Sequence, residues 1–461
     1  MTTIRLQLSK DDVGPNAART FYWCASLLMR MGHYVDLQLS NSTRTPRGVR
    51  GHRRLRRNLE DLRRSLPKGR RSARHIQLSI APKRERNGLN AWSNGWTIWI
   101  NSDAAPVEQV ENPLAAAAAG AAAAASIHLR SHHQPVPNYI VNLLTYTAEP
   151  VLGEPLRRIQ LPRSLLAGVG AVGGSFALAM ASLELHGRLD LVDTERFSER
   201  NLARYTMALP SDLGKDKAAV AAQILRPTGL STQSSRAGAA RRLHRLGPRR
   251  IVIAATDTAE SRRDIAAELP ESGFDAANAE DEPRIEIARF SFAPDGPCLA
   301  CFYPVSHQPD DLTSRIQRDL GLTFEEITKL RATGKPLDER LRQLIAKRTN
   351  SLLPMAALGE GIDTVYTSHY CGSEPASPRS SRRAPLLPTR VFAPSMAGIL
   401  LAAEVVKKAM RLASQQNWFS WDLSRPPNPD AYRFRGPRAG CNVCSDSDYQ
   451  HAYAVAHRPR L

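Results

Sequence analysis

The sequence predicts an α/β protein whose second half is a doubly wound parallel sheet and whose first half is a weaker unit of mixed α/β character. Three observations carry this. Short apolar runs alternate with helix-like stretches between residues 165 and 257. A glycine-rich turn, GVGAVGG at 168–174, joins the first of those runs to the first helix. Two Cys-x-x-Cys pairs, Cys298/Cys301 and Cys441/Cys444, bracket the C-terminal region.

Taken in order, 17–31 has helical composition and 34–39 (YVDLQL) alternates as a strand does. An arginine-rich segment follows, then HIQLSIAP and GWTIWINS, both of strand composition with turn residues around them. Asn112-Pro113 opens a helix, because asparagine caps free amide groups and proline suits the first turn. The alanine run behind it can lie close to a sheet. In the second half, 165–167 enters the glycine turn and SFALAMASLEL continues as a helix. RLDLVD is a strand ending in Asp193, 215–225 a helix, and RIVIAATD a strand ending at Asp257. IEIARFSF (285–292) is a further strand, and 312–349 is charged and helix-prone. MAGILLAAEVVKKAM is a buried helix and NWFSWDL a last strand. This divides the chain into 1–155 and 156–461, with 305–390 as a helical insertion.

The chain has 461 residues, 42% of them hydrophobic and 23% charged, which is globular composition with room for several cores. No apolar run is long enough to span a membrane; the best, 114–126, is short and mostly alanine. The first residues lack the apolar centre of a secretory signal. Four of the six cysteines fall in Cys-x-x-Cys pairs, which points to a reducing compartment, so a cytoplasmic location is expected. The net charge of +19 is uneven: residues 44–74 carry +11 and 375–390 carry +4. Two local runs are weaker grounds for nucleic acid than a continuous basic face, and such runs are commonly solvated. A nucleic-acid scaffold is therefore not the leading reading.

Gly168, Gly170 and Gly173 form Gly-x-Gly-x-x-Gly between strand and helix, where the backbone can approach a phosphate at a helix N-terminus. Asp193, 20 residues past Gly173, can accept from ribose hydroxyls. Alone, this pattern reads as an NAD-dependent oxidoreductase. The four paired cysteines fit a closed, tetrahedral zinc site that staples the chain. Cys24 lies in apolar FYWCASLLM and is a core residue.

The segment after Asp193, VDTERFSERNLARYTMALPSDLGKDKA, shifts that reading. Its Asp at a strand end, Asn-Leu-x-Arg and Gly-x-x-Lys resemble the signature of the ThiF/MoeB/HesA family, which includes the adenylation domains of ubiquitin-activating enzymes. These are Asp193, Asn201, Arg204 and the run Gly214 to Lys217, with Asp257 through Arg262 matching the family's Asp-Asn-x-x-x-Arg. Thr258 stands where the family usually has Asn, and Tyr205 where Gln is common. The resemblance covers about 164–444 apart from the insertion.

It implies a Rossmann-like adenylation domain with structural zinc, preceded by a degenerate, inactive adenylation-like domain. It also implies that Gly168, Gly170 and Gly173 cradle ATP, that Asp193 holds the ribose, that Asn201, Arg204 and Lys217 contact phosphates, and that Asp257 binds Mg2+. An arginine from the inactive half reaches the active site in relatives, and Arg5, Arg19 and Arg30 are candidates. Cys371, in TSHYCG near His369 and upstream of Arg379, Arg382 and Arg383, falls where ubiquitin-activating relatives carry their thioester cysteine. The implied partner is a small ubiquitin-like protein ending in Gly, with a conjugating enzyme downstream. The active body would be a pseudo-dimer within one chain or a homodimer, and bacterial enzymes of this kind accompany antiviral defence systems. The alternative within the family is an adenylyltransferase for a sulfur-carrier protein or ribosomal peptide, without a thioester.

Overall fold

The computed structural model describes residues 3–8, 14–66, 75–83, 88–102, 110–246, 251–278, 283–292, 296–304, 312–349, 353–366, 391–412 and 416–457. They fall into two compact units, Met1–Tyr303 with Thr389–Leu461, and Pro304–Pro388.

The first unit holds two mixed sheets. The first sheet contains β1 (Thr3–Leu8), β2 (Tyr34–Gln38), β3 (His75–Ile80), β4 (Leu89–Asn94), β5 (Thr97–Ile100) and β6 (Tyr139–Asn142), in the order β2-β1-β3-β4-β5-β6. Its β2-β1-β3-β4 side is parallel and its β4-β5-β6 side antiparallel. Two helices cover it, α1 (Pro15–Arg30), which is followed by the short α2 (Leu55–Ser65), and α3 (Pro113–Ser131). As the sequence indicated, Asn112 caps α3, its Oδ1 accepting the amides of Leu114 (3.0 Å) and Ala115 (3.2 Å). The alanines of α3 are buried almost without exposure, and their small size lets α1 approach until Thr20 Oγ1 donates to the Ala116 carbonyl at 3.0 Å. Alanine here is a spacing device.

The second sheet contains β7 (Ile159–Ala167), β8 (Leu185–Val192), β9 (Ser231–Ser235), β10 (Ile251–Ala254), β11 (Ser272–Asn278), β12 (Arg284–Ser291), β13 (Trp418–Asp422) and β14 (Tyr432–Arg433). Its order is β14-β13-β12-β11-β10-β7-β8-β9. Strands β9-β8-β7-β10-β11 are parallel and the last three antiparallel. The five parallel strands therefore run third-second-first-fourth-fifth, the order that binds nucleotides at the switch point between first and fourth. The expected all-parallel sheet is corrected to a mixed one. The reason is connection length: β11 reaches β12 through a short link, which permits only an antiparallel return.

Helices α4 (Ala171–Met180), α5 (Glu199–Arg204), α6 (Lys217–Leu225), α7 (Ala239–Leu246), α8 (Ala259–Ala267) and α9 (Leu299–Phe302) follow the strands of this sheet. The helix after the glycine turn is shorter than its sequence indicated, since Leu185 already starts β8. Likewise β10 stops at Ala254, so Asp257 lies in the turn beyond the strand.

The Pro304–Pro388 unit contains α10 (Leu312–Leu320), α11 (Phe324–Thr333), α12 (Glu339–Thr349) and α13 (Ile362–Val365) around its own core of Ile316, Leu320, Ile327, Ile345 and Val365. In the first unit, α14 (Phe392–Ala409) packs on both α3 and α4 and so joins the layers of the two sheets, while α15 (Ser447–Ala456) closes the described chain. At that joint Tyr146 donates to Glu404 Oε1 at 2.6 Å, and Lys407 donates to Glu404 and to the carbonyls of Leu143 (2.9 Å) and Leu144 (3.1 Å). Burial lowers the pKa of Lys407 against the pull of Glu404.

Candidate active site

The glycine turn leaves β7 at its carboxyl end, beside β10. Gly168 takes φ +89°, and a Cβ there would stand 2.6 Å from the Ala255 carbonyl oxygen. A Cβ on Gly173 would stand 2.1 Å from the Gly168 oxygen, so α4 touches the turn that precedes it. Above Gly170 the nearest side-chain atom is Tyr205 Oη, 3.8 Å from where a Cβ would be. Asp193 locks this turn from the end of β8. Its Oδ2 accepts the Val169 amide at 2.6 Å and its Oδ1 the Glu195 amide at 2.8 Å. Burial raises the Asp193 pKa, and those two amides oppose the shift.

Lys217 is the first residue of α6 and is 1% exposed. Its Nζ donates to the exposed carboxylate of Glu195 and to Tyr205 Oη at 3.3 Å, and it lies 4.8 Å from the Tyr205 ring centre. Burial opposes the charge, but Tyr205 and Glu195 outweigh it and the ammonium pKa is raised. Arg204, at the end of α5, is half-buried and has no hydrogen bond or ion pair among the described residues. Asn201 is buried, and its Oδ1 accepts the Ser198 amide at 2.9 Å, closing the first turn of α5. Asp257 is exposed and leaves the capping of α8 to Thr258, whose Oγ1 accepts the Ser261 amide at 3.1 Å. Thr258 thus has a structural task that frees the aspartate beside it.

The four paired cysteines meet. Their sulfur atoms lie within 4.8 Å of one another, with Cys298–Cys301 at 3.8 Å, Cys298–Cys441 at 3.7 Å and Cys301–Cys444 at 3.4 Å. Tetrahedral thiolates about 2.3 Å from zinc stand about 3.8 Å apart, so the donor set fits that ion. The Arg438 amide donates to Cys301 Sγ at 3.4 Å, the kind of support that orients a ligand.

A model described as the ThiF family matches residues 146–425, more than half of the chain. The chain belongs to the ThiF family. An uncharacterized protein of Sinorhizobium fredii, y4jF, is 30% identical over 332 residues, 68% of this chain and 63% of that protein. The protein named adenylyltransferase and sulfurtransferase UBA4 of Candida glabrata is 27% identical over 164 residues, 34% of this chain and 37% of its own. The chain thus spans less than two thirds of either relative. Among solved structures, E. coli MccB crystallised with MccA-N7isoASN is similar at 14% identity and a TM-score of 0.37, covering 62% of this chain and 67% of that one. That similarity is too low to bear on the fold.

Within this family member, Gly168, Gly170, Gly173, Asp193 and Lys217 converge at the carboxyl ends of β7 and β8, and Asp257 follows the end of β10. Arg204 adjoins Tyr205, which bridges the glycine turn and Lys217. Cys371, with His369, Arg379, Arg382 and Arg383, lies outside the described residues. Of the three candidate arginines, Arg5 is half-exposed and pairs with Asp36, and Arg19 is buried near Glu111. Arg30 alone of the three contacts the 202–208 loop. Sequence reading missed Glu195 as the partner of Lys217. Its position two residues after Asp193 was the available signal.

Proposed function

We propose that this chain uses ATP to adenylate the C-terminal carboxylate of a small protein or peptide. The observation that carries the reading is buried Lys217, joined through Tyr205 to the glycine turn, with the unpaired Arg204 next to Tyr205 in the chain, in a member of the ThiF family. Dinucleotide binding requires the glycine turn and Asp193 but gives no reason for those cations, which disfavours the oxidoreductase.

In the reaction, a carboxylate oxygen of the substrate forms a bond to the α-phosphorus of ATP. The bond from that phosphorus to its bridging oxygen breaks, and pyrophosphate leaves with the electron pair. Because the attacking group is already a carboxylate, no base is needed. Negative charge gathers on phosphoryl oxygens, and preorganised cations stabilise it most where water is excluded. Lys217 would exchange Glu195 for a phosphate oxygen, and Arg204 would take its first anionic partner. Asp193 would bind the ribose through what its two amide bonds leave free. Asp257 would hold Mg2+, which suits oxygen ligands and neutralises phosphate charge when bound.

The finer reading is a small ubiquitin-like partner ending in Gly, followed by thioester formation on Cys371. A sulfur-carrier protein or ribosomal peptide adenylated without thioester formation is the second reading, its sulfur-carrier form favoured by the name of UBA4, which pairs adenylyl transfer with sulfur transfer. Incubation with ATP and each candidate small protein, followed by mass spectrometry, tests this. An adenylated C-terminus supports the activity. A thiol-labile conjugate present in wild type and missing in Cys371→Ser selects the first reading, and its absence in wild type selects the second. Candidate carboxylates that all remain unmodified would overturn both.

A further inference from the structure

We propose that Arg30 is a positioning residue for the candidate site, a role resting on the functional reading above. Arg30 ends α1, a helix of the first sheet, and is 1% exposed. Its guanidinium donates to the Leu202 carbonyl, to the Thr206 carbonyl at 3.1 Å and to the Ala208 carbonyl at 3.0 Å. These three acceptors bracket Arg204 and Tyr205. A planar fork whose donors sit on separate nitrogens in fixed directions suits acceptors spread along a segment, whereas an ammonium carries its three donors on one nitrogen. The loop would otherwise bury carbonyl groups without partners where α5 ends.

A second arm comes from the same half. Arg50, in the arginine-rich segment, holds Asp212 through two bonds of 2.7 and 2.9 Å. Asp212 is fully buried and also accepts the Leu209 amide at 3.0 Å. The two arginines therefore fix both ends of the stretch from Leu202 to Asp212, which runs from the last turn of α5 toward Lys217. Neither is placed to touch the nucleotide: Arg30 is committed to backbone oxygens and Arg50 to Asp212. The half without a glycine turn of its own thus acts on the site by setting where Arg204 and Tyr205 stand.

The test compares Arg30→Met, which keeps the aliphatic stem and removes the donors, with Arg30→Lys, which keeps the charge and loses the fork. Hydrogen exchange of amides 202–208 should rise at least about tenfold in both, with strands β7, β8 and β10 unchanged. ATP affinity should fall by about 10- to 100-fold in Arg30→Met, the worth of one charge-assisted hydrogen bond to phosphate. Arg30→Lys should recover part of that loss. Exchange needs no nucleotide, so it tests the bracing even if wild type binds no ATP, a result that would instead strike the functional reading. Unchanged exchange at 202–208 in Arg30→Lys overturns the proposal, as does wild-type ATP affinity in either folded variant. If Arg30→Met does not fold, Arg30→Lys decides alone.

Discussion

Gly173→Ala should separate stability from nucleotide binding. The added Cβ would sit 2.1 Å from the Gly168 carbonyl oxygen, and reaching an ordinary contact of 3.4 Å requires the two to part by 1.3 Å. The obstacle is backbone, so α4 and the glycine turn must separate as bodies. Overpacking of this sort costs about 1–3 kcal/mol. Replacing glycine by alanine in a helix returns about 1 kcal/mol. Stability should therefore fall by about 0–2 kcal/mol, a small change in melting temperature. Binding should suffer more, since each charge-assisted hydrogen bond lost between the turn and phosphate is worth about 1.5–3 kcal/mol, about 10- to 100-fold in affinity. The neighbouring Gly174→Ala is the control. The atoms nearest its Cβ would be those of the Met207 side chain, at 3.2 Å, and methionine can rotate away. Thermal unfolding and ATP titration by calorimetry on both variants provide the assay. Wild-type ATP affinity in Gly173→Ala, or a larger loss in Gly174→Ala, would refute the reasoning.

Three further outcomes follow from the same structure. Metal analysis should find about one zinc per chain, and Cys441→Ser or chelation should lower the melting temperature; a metal-free protein of unchanged stability would discount the site. Asp257→Ala should abolish adenylation without lowering stability, because the side chain is exposed and uncapping, whereas Thr258→Ala should cost about 1 kcal/mol of stability through the lost α8 cap. Glu326 is held at about 2 by Arg348, with the Thr323 amide adding to the effect. Its folded pKa is depressed, so the pair contributes in full above the ordinary carboxylate range and is lost as pH falls toward 2. The difference in melting temperature between wild type and Glu326→Gln should be present at neutral pH and vanish near pH 2.

Local chemistry made much of the site legible and long-range chemistry did not. The glycine turn, Asp193 and the Asn112 cap are short-range features contained in a few neighbouring residues, and the fold places the turn between β7 and α4, Asp193 just after β8 and the cap at the start of α3, where the sequence puts them. Strands β9 and β11 went unseen because STQSS and SGFDAAN are polar or small and carry no apolar alternation. Thr258, a departure from the family pattern, became intelligible only as the α8 cap. That Arg30, rather than Arg5 or Arg19, holds the 202–208 segment was closed to sequence because it depends on packing between residues more than 170 positions apart. The +19 charge also changed meaning in part: Arg50 is tied to Asp212 and Arg54 and Arg56 to backbone carbonyls, so the arginine-rich segment is partly an internal fastening.

The central claim is that the site drives a carboxylate onto the α-phosphorus of ATP, and exchange of labelled pyrophosphate into ATP tests it most directly. Wild-type, zinc-loaded protein should catalyse exchange only when a small protein or peptide with a free C-terminal carboxylate is added. Lys217→Met should lose that exchange while remaining folded. No exchange with any such carboxylate, or exchange that persists undiminished in Lys217→Met, would contradict the account.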